Sequence, residues 1–314
     1  MSRLWIGLVL WLCAAGCSIQ ADPPPKSNTA SAAETEKPSA SNDDEVTASD
    51  KKVLDRLLTD AREGIRVKDW TAANRAINEG LHKTEGRRGL EITNAQFVLL
   101  RGTAALEQGS EPDARRFFAD ALAIFHVNKN TQGRFEAFTS LGRLEERRGD
   151  YAAAERQFDQ AETLRKDVSN RAAVGEYLLA KGRLASRQMK RTEASAFYQE
   201  ALKIFETAED KRSMAEALLM IAWEDDQSDR AGAAKRDLER ASALFGEIKD
   251  TDGKVRAVHR LAVLAERDKQ NAKAARLYTE AAELYETLGR RSDASAVERH
   301  LSTLSTGEDK SKKK

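Results

Sequence analysis

LGRLEERRGDYAAAERQFDQAETL, residues Leu141 to Leu164, reads as a charged helical hairpin, two stretches of helical apolar spacing hinged at Gly149-Asp150. Its Ala154 recurs as Ala114, Ala194, Ala234 and Ala274, each 40 residues from the next, with Ala73 one residue further off. A fixed period of this size is the mark of a repeat architecture. Aligned on that alanine, three more columns emerge. Twelve residues earlier stand Ala61, Gly102, Gly142, Gly182, Ala222 and Ala262; four later, Ile77, Phe118, Phe158, Tyr198, Leu238 and Tyr278; seven later, Gly80, Ala121, Ala161, Ala201, Ala241 and Ala281. Small, small, bulky, small is a packing instruction. Antiparallel helices approach closely only where side chains are minimal, and one large knob per unit is expected to fill the groove against the next hairpin.

Between Lys51 and Ser305 every segment has helical spacing and nothing alternates with period two, so the expected fold is all-α. Asp69, Ser110 and Asp150 stand where helix N-caps belong, and Pro112 falls in a first turn where its missing N–H costs nothing. Only 6% of the chain is aromatic and 33% is charged, which suits stacked helices that each bury one stripe better than deep globular cores. The 52 basic and 51 acidic side chains leave a net charge of +1, so no global field points to nucleic acid.

The columns, with the LG of Leu141-Gly142 and the GDY of Gly149 to Tyr151, resemble the tetratricopeptide repeat family, whose consensus has small residues at its eighth, twentieth and twenty-seventh places and a bulky one at its twenty-fourth. The resemblance covers about 255 of the 314 residues. The 40-residue spacing exceeds the family's usual repeat of roughly 34 and is similar to that of long-repeat peptide-binding adaptors. The resemblance implies a right-handed superhelical solenoid of six helical hairpins over residues 51–305, closed by a capping helix at Ser292 to Leu304. It also implies that the first helix of each pair lines a concave groove that receives partners as extended peptides or helices. Carried over by register, the groove positions are Leu58 and Arg62, Leu99 and Thr103, Thr139 and Arg143, Leu179 and Arg183, Leu219 and Trp223, and His259 and Val263. An acidic row, Glu136, Glu176 and Glu216, runs beside them, with Arg147 and Arg187 further along. The row reads either as a ladder gripping a partner's polar groups, with Leu179, Leu219 and Trp223 as apolar anchors, or as neutralisation between neighbouring repeats. Arg62, Thr103 and Arg143 stand where the family's chaperone-tail clamp would want asparagine, which argues against a chaperone tail as partner.

The N-terminus, MSRLWIGLVLWLCAAGCSIQ, places Arg3 before an apolar run from Leu4 to Leu12, the pattern of a signal peptide and too short for a lasting span. Its Ala14-Ala15-Gly16-Cys17 resembles a bacterial lipobox, which implies removal of residues 1–16 and a lipid on Cys17; Ser18 in place of aspartate implies the outer membrane, facing the periplasm. Both cysteines, Cys13 and Cys17, lie here, so the remaining chain has no disulfide or thiolate chemistry. Residues 17–50 are rich in Pro, Ser, Ala, Thr and Glu and read as a disordered tether, and residues 306–314 as a disordered basic tail.

No catalytic constellation, phosphate loop or metal-ligand spacing emerges, since His82, His126, His259 and His300 fall in separate units. The expected function is a non-enzymatic, lipid-anchored adaptor at the bacterial envelope, without cofactor, small-molecule substrate or nucleic acid. A pilotin-like assembly factor for a type IV pilus secretin, a structural spacer and a regulatory subunit of an envelope enzyme are the alternatives.

Overall fold

The computed structural model describes residues 46–311, with side chains as far as Thr303. Within that range the chain forms thirteen α-helices and no strand. Six hairpins follow one another: α1 (Ala48–Arg66) with α2 (Trp70–Thr84), α3 (Glu91–Glu107) with α4 (Glu111–Val127), α5 (Thr131–Arg148) with α6 (Tyr151–Leu164), α7 (Arg171–Arg187) with α8 (Arg191–Thr207), α9 (Lys211–Asp226) with α10 (Ala231–Glu247), and α11 (Thr251–Arg267) with α12 (Asn271–Thr287). A last helix, α13 (Arg291–Ser311), lies on α12 and buries Ala294 and Val297 there.

The turns explain the period. From Gly109 onward a residue of positive φ ends nearly every helix at intervals of 20: Gly109, Lys129, Gly149, Met189, Glu209, Asp229, Lys249, Lys269 and Gly289. At each, the next residue's N–H reaches five residues back to a carbonyl, as Asn130 does to Phe125 (2.9 Å) and Asp250 to Phe245 (2.8 Å). That is the Schellman closure. The residue that completes it is also the N-cap of the next helix: Asn130, Asp150, Asp210 and Asp250 each accept from the backbone N–H three residues on. One residue thus ends one helix and starts the next, so turns within and between hairpins are equally short and 40 residues are two equal modules. Ser110 departs from expectation. Its hydroxyl donates to Asp113 (2.8 Å) and does not cap the backbone, whereas Asp69 and Asp150 cap as expected.

The small columns sit where the bulky ones press. A Cβ at Gly142 would stand 2.5 Å from the Phe158 ring, one at Gly102 2.6 Å from Phe118, and one at Gly182 2.4 Å from Tyr198. Each knob therefore seats first in the opening helix of its own hairpin, and only its far edge meets the next, as Phe158 meets Tyr177 with centroids 6.0 Å apart. A second aromatic column, Phe125, Phe205, Phe245 and Tyr285, is buried at the ends of the second helices, where Phe125 covers Gly133 and Phe245 covers Gly253 of the following hairpin. Arg165 interrupts this column. There α6 stops early at Leu164, a 3-10 turn (Arg165–Asp167) intervenes, and Tyr177 fills the seam against Phe135 at 5.2 Å.

The helical unit begins earlier than residue 51. Thr47 and Asp50 form a reciprocal capping box on α1, and Val46 packs on the first core cluster. The Arg87 side chain, donating to Asp50 at 3.2 Å, together with the Thr47 backbone and hydroxyl, holds the Asp50 carboxyl down at about 2. At the other end α13 runs through residues 306–311, assigned to the tail by composition. Contacts that skip a helix, α1 with α3, α3 with α5, α5 with α7 and α9 with α11, join odd-numbered helices. Crowding on that side makes the odd helices the inner wall of the solenoid.

Candidate functional site

The inner wall sorts the expected groove residues into two sets. Leu58, Leu99, Thr139, Leu179 and Leu219 are buried, Leu219 to 4% exposure, and the Thr139 hydroxyl is spent on the Phe135 carbonyl at 2.8 Å. These positions pack in the seam between successive odd helices, which corrects the expectation of Leu179 as an apolar anchor and leaves Leu219 only a small edge on the wall. The residues four later, Arg62, Thr103, Arg143, Arg183, Trp223 and Val263, are exposed or half-exposed. A shift of four on a helix turns a side chain by about 40°, enough to move it from the seam to the open wall. His259 is the exception in the first set. It is half-buried, with Nδ1 3.1 Å from the Tyr285 hydroxyl, and burial lowers its pKa further from neutrality.

The charged ladder is largely neutralised between repeats, though not by the pairs that spacing suggests. Arg143 reaches Glu107 (3.2 Å) and Arg183 reaches Glu146 (3.7 Å), each an acid at the end of the preceding odd helix. Carboxylates at a helix C-terminus face the negative end of its dipole and need such cations. Glu145 and Glu146 at the end of α5, and Glu224 and Asp225 at the end of α9, are buried carboxylates answered by Arg115, Arg183, Arg187, Arg191 and Arg230. Glu216 is taken by a two-pronged contact from Arg256, which occupies the glutamate column one repeat on. Glu136 accepts from Gln132 of its own helix. Glu176 has no hydrogen bond or ion pair among the described residues; it is exposed, but the surrounding concave walls strip away enough bulk water to raise its carboxyl above the usual range.

A concavity of about 990 Å³ opens where α7, α9 and α11 face one another. Arg183, Leu219, Trp223, His259 and Val263 line it, so the structure brings together these five of the expected groove residues of the last three hairpins, without Leu179, Glu176 and Glu216, and leaves those of the first three outside. Trp223 is 40% exposed and Val263 47%, unusual for large apolar side chains in this chain. The Arg260 guanidinium lies over the indole of Trp223, 4.6 Å from the ring centroid. Arg260 has no carboxylate within ion-pair distance and no hydrogen-bond acceptor among the described residues, and burial lowers its pKa without discharging it. Register alone missed Arg260, Arg256 and Met189, which also line the concavity, because they fall outside the two columns of each first helix that the family motif marks. The available signal was Arg256 breaking a run of glutamates.

No family model and no curated protein matches the chain. Solved structures do. The apo form of RapI superposes with a TM-score of 0.67 at 14% identity, over 82% of this chain and 72% of that one. A signal-transduction ATPase with a tetratricopeptide repeat sensor from Pyrococcus horikoshii gives 0.65 at 14% identity over 79% of this chain, which spans only 37% of that protein's length. A Rap protein complexed with Competence and Sporulation Factor gives 0.57 at 16% identity, over 83% and 74%. At such identities the likeness is one of fold, and the fold is a helical solenoid of the tetratricopeptide-repeat type.

Proposed function

We propose that this protein is a non-enzymatic scaffold that holds a protein segment, extended or helical, against the inner wall of α7, α9 and α11. The observation that carries the reading is Trp223, an aromatic side chain left exposed in the lining of a large concavity beneath an arginine that has no polar partner among the described residues. Tryptophan and arginine are the residue types that dominate binding energy at interfaces, and helical repeats of this kind use their concave surfaces for binding. The solved Rap protein complexed with Competence and Sporulation Factor supports the reading as a case in which a solenoid of the same fold holds a partner. Substituting Trp223 with glutamate is expected to abolish partner retention with helicity unchanged by circular dichroism; retention at the wild-type level would move binding off this wall.

The scaffold is anchored, in the same reading, by a lipid on Cys17 at the periplasmic face of the outer membrane. Cys17 and the tether to residue 45 lie outside the described residues. What supports the anchor is the sequence: a short apolar run, then Ala14-Ala15-Gly16-Cys17, then Ser18. Among the described residues no helix is long and apolar enough to cross a membrane. Cys17→Ser is expected to abolish incorporation of labelled palmitate and to release the chain from outer-membrane fractions; unchanged labelling would refute the anchor.

A further inference from the structure

The concavity carries a charge that the whole chain does not. The chain stands at +1, yet five arginines, Arg183, Arg187, Arg191, Arg256 and Arg260, line this wall against one carboxylate, Asp226. Structural duty accounts for most of them. Glu146 takes Arg183 and Arg187 together, Glu224 takes Arg191, and Glu216 takes Arg256. Asp226 is itself held by Arg267 at 2.6 Å, and Asp252, a second acid near Arg256, is shared with Arg290. Two positive charges are left over: one of the pair on Glu146, of which Arg187 is the more exposed, and Arg260. Both line the concavity that exposes Trp223 and Val263.

Arg260 also has the geometry of a receptor. Its guanidinium carbon lies over the Trp223 indole, 4.6 Å from the ring centroid, and among the described residues no acceptor meets its N–H donors, which a guanidinium carries in a fixed planar fork. A carboxylate satisfies two such parallel donors at once, and a neutral amide does not. The two surplus charges sit on a single wall where Trp223 is the one exposed ring, Tyr198 and Tyr285 being buried and Tyr151 and His259 half-buried. Single-stranded nucleic acid asks for something different, a basic track with successive stacking platforms, and a lipid surface needs an exposed outer face and not a recess.

We propose that this wall selects an acidic protein segment, one that lays an apolar side chain on Trp223 and Val263 and places a carboxylate on Arg260, with Arg187 drawing further negative charge along the groove. The proposal rests on the binding reading above and names the chemistry of the occupant. A randomised dodecapeptide phage library panned on the full chain, with Trp223→Glu as counter-selection, separates the two. Clones that need Trp223 are expected to be enriched in aspartate and glutamate over the input library. Synthetic versions are expected to bind about tenfold more weakly to Arg260→Gln and to lose affinity as salt rises, while Arg240→Gln, on the outer helix α10, leaves them unchanged. Trp223-dependent clones of neutral or basic composition would overturn the acidic selection and leave the groove reading standing. No Trp223-dependent clone at all would overturn both. Oligothymidylate or phosphatidylglycerol vesicles that bind through Trp223 more tightly than the selected peptides would overturn a protein as the occupant.

Discussion

Single side chains set the spacing of this solenoid. Gly142 sits under the ring of Phe158 so closely that a methyl group would overlap it, and Gly102 under Phe118 and Gly182 under Tyr198 repeat the arrangement. Replacing Gly142 with alanine gains about 0.5–1 kcal/mol in helix propensity but overpacks the hairpin by about 1–3 kcal/mol. The net expectation is a loss of stability, measurable by urea unfolding, that Phe158→Leu partly restores because the two sites share one space. Additive losses would show that ring and glycine are not coupled. The small and bulky columns were readable because their side chains do nothing but pack, and packing repeats with the period. The inner-wall residues were harder to read. Leu219 and Trp223 are four apart on one helix, and only the angle at which α9 meets its neighbours decides that the first is sealed in the seam and the second left open. Ser110 takes the expected N-cap position without the cap bond for a different reason: a hydroxyl can donate as well as accept, and Asp113 competes for it.

The helices themselves are held to a 20-residue module by turns in which one residue closes a helix and caps the next. The cost is a left-handed residue at each turn, and several are not glycine: Lys129, Met189, Glu209, Lys249 and Lys269 all have positive φ. A left-handed non-glycine residue costs about 1–2 kcal/mol, partly offset by the greater freedom that glycine gains on unfolding. Lys249→Gly is therefore expected to stabilise the protein by about 0.5–1 kcal/mol, seen as a rise in Tm. A fall in Tm would mean that the lysine side chain contributes more than its backbone strain costs. The unbroken helical periodicity made the hairpins legible. The early end of α6 was legible only in hindsight, through Arg165 standing where Phe125, Phe205 and Phe245 stand elsewhere, because a charged side chain cannot take the buried place of a ring. The opening of α1 at Ala48 was hidden by composition: Val46 and the Thr47–Asp50 box lie at the edge of a stretch rich in serine and alanine, and three or four residues do not shift a compositional average.

At the scale of the molecule, the repeat makes the wall nearly uniform and the chemistry makes it uneven. Ion pairs between successive odd helices consume most of the inner charge, as Arg143 with Glu107 and Glu216 with Arg256 show. Exposed pairs of this kind contribute about 0–1 kcal/mol each, so they set the electrostatic background of the groove more than its stability. Against that background the last three hairpins present Trp223 and Val263 exposed, and Arg260 over the indole with no polar partner among the described residues. Site-specific photo-crosslinking in living cells decides whether that surface is used. With the crosslinking residue at position 223, and as a control at position 239 on the outer helix α10, the expected result is a discrete adduct from 223 and none from 239. Adducts from 239 with silence at 223 would place the partner on the outer face and contradict binding in the groove.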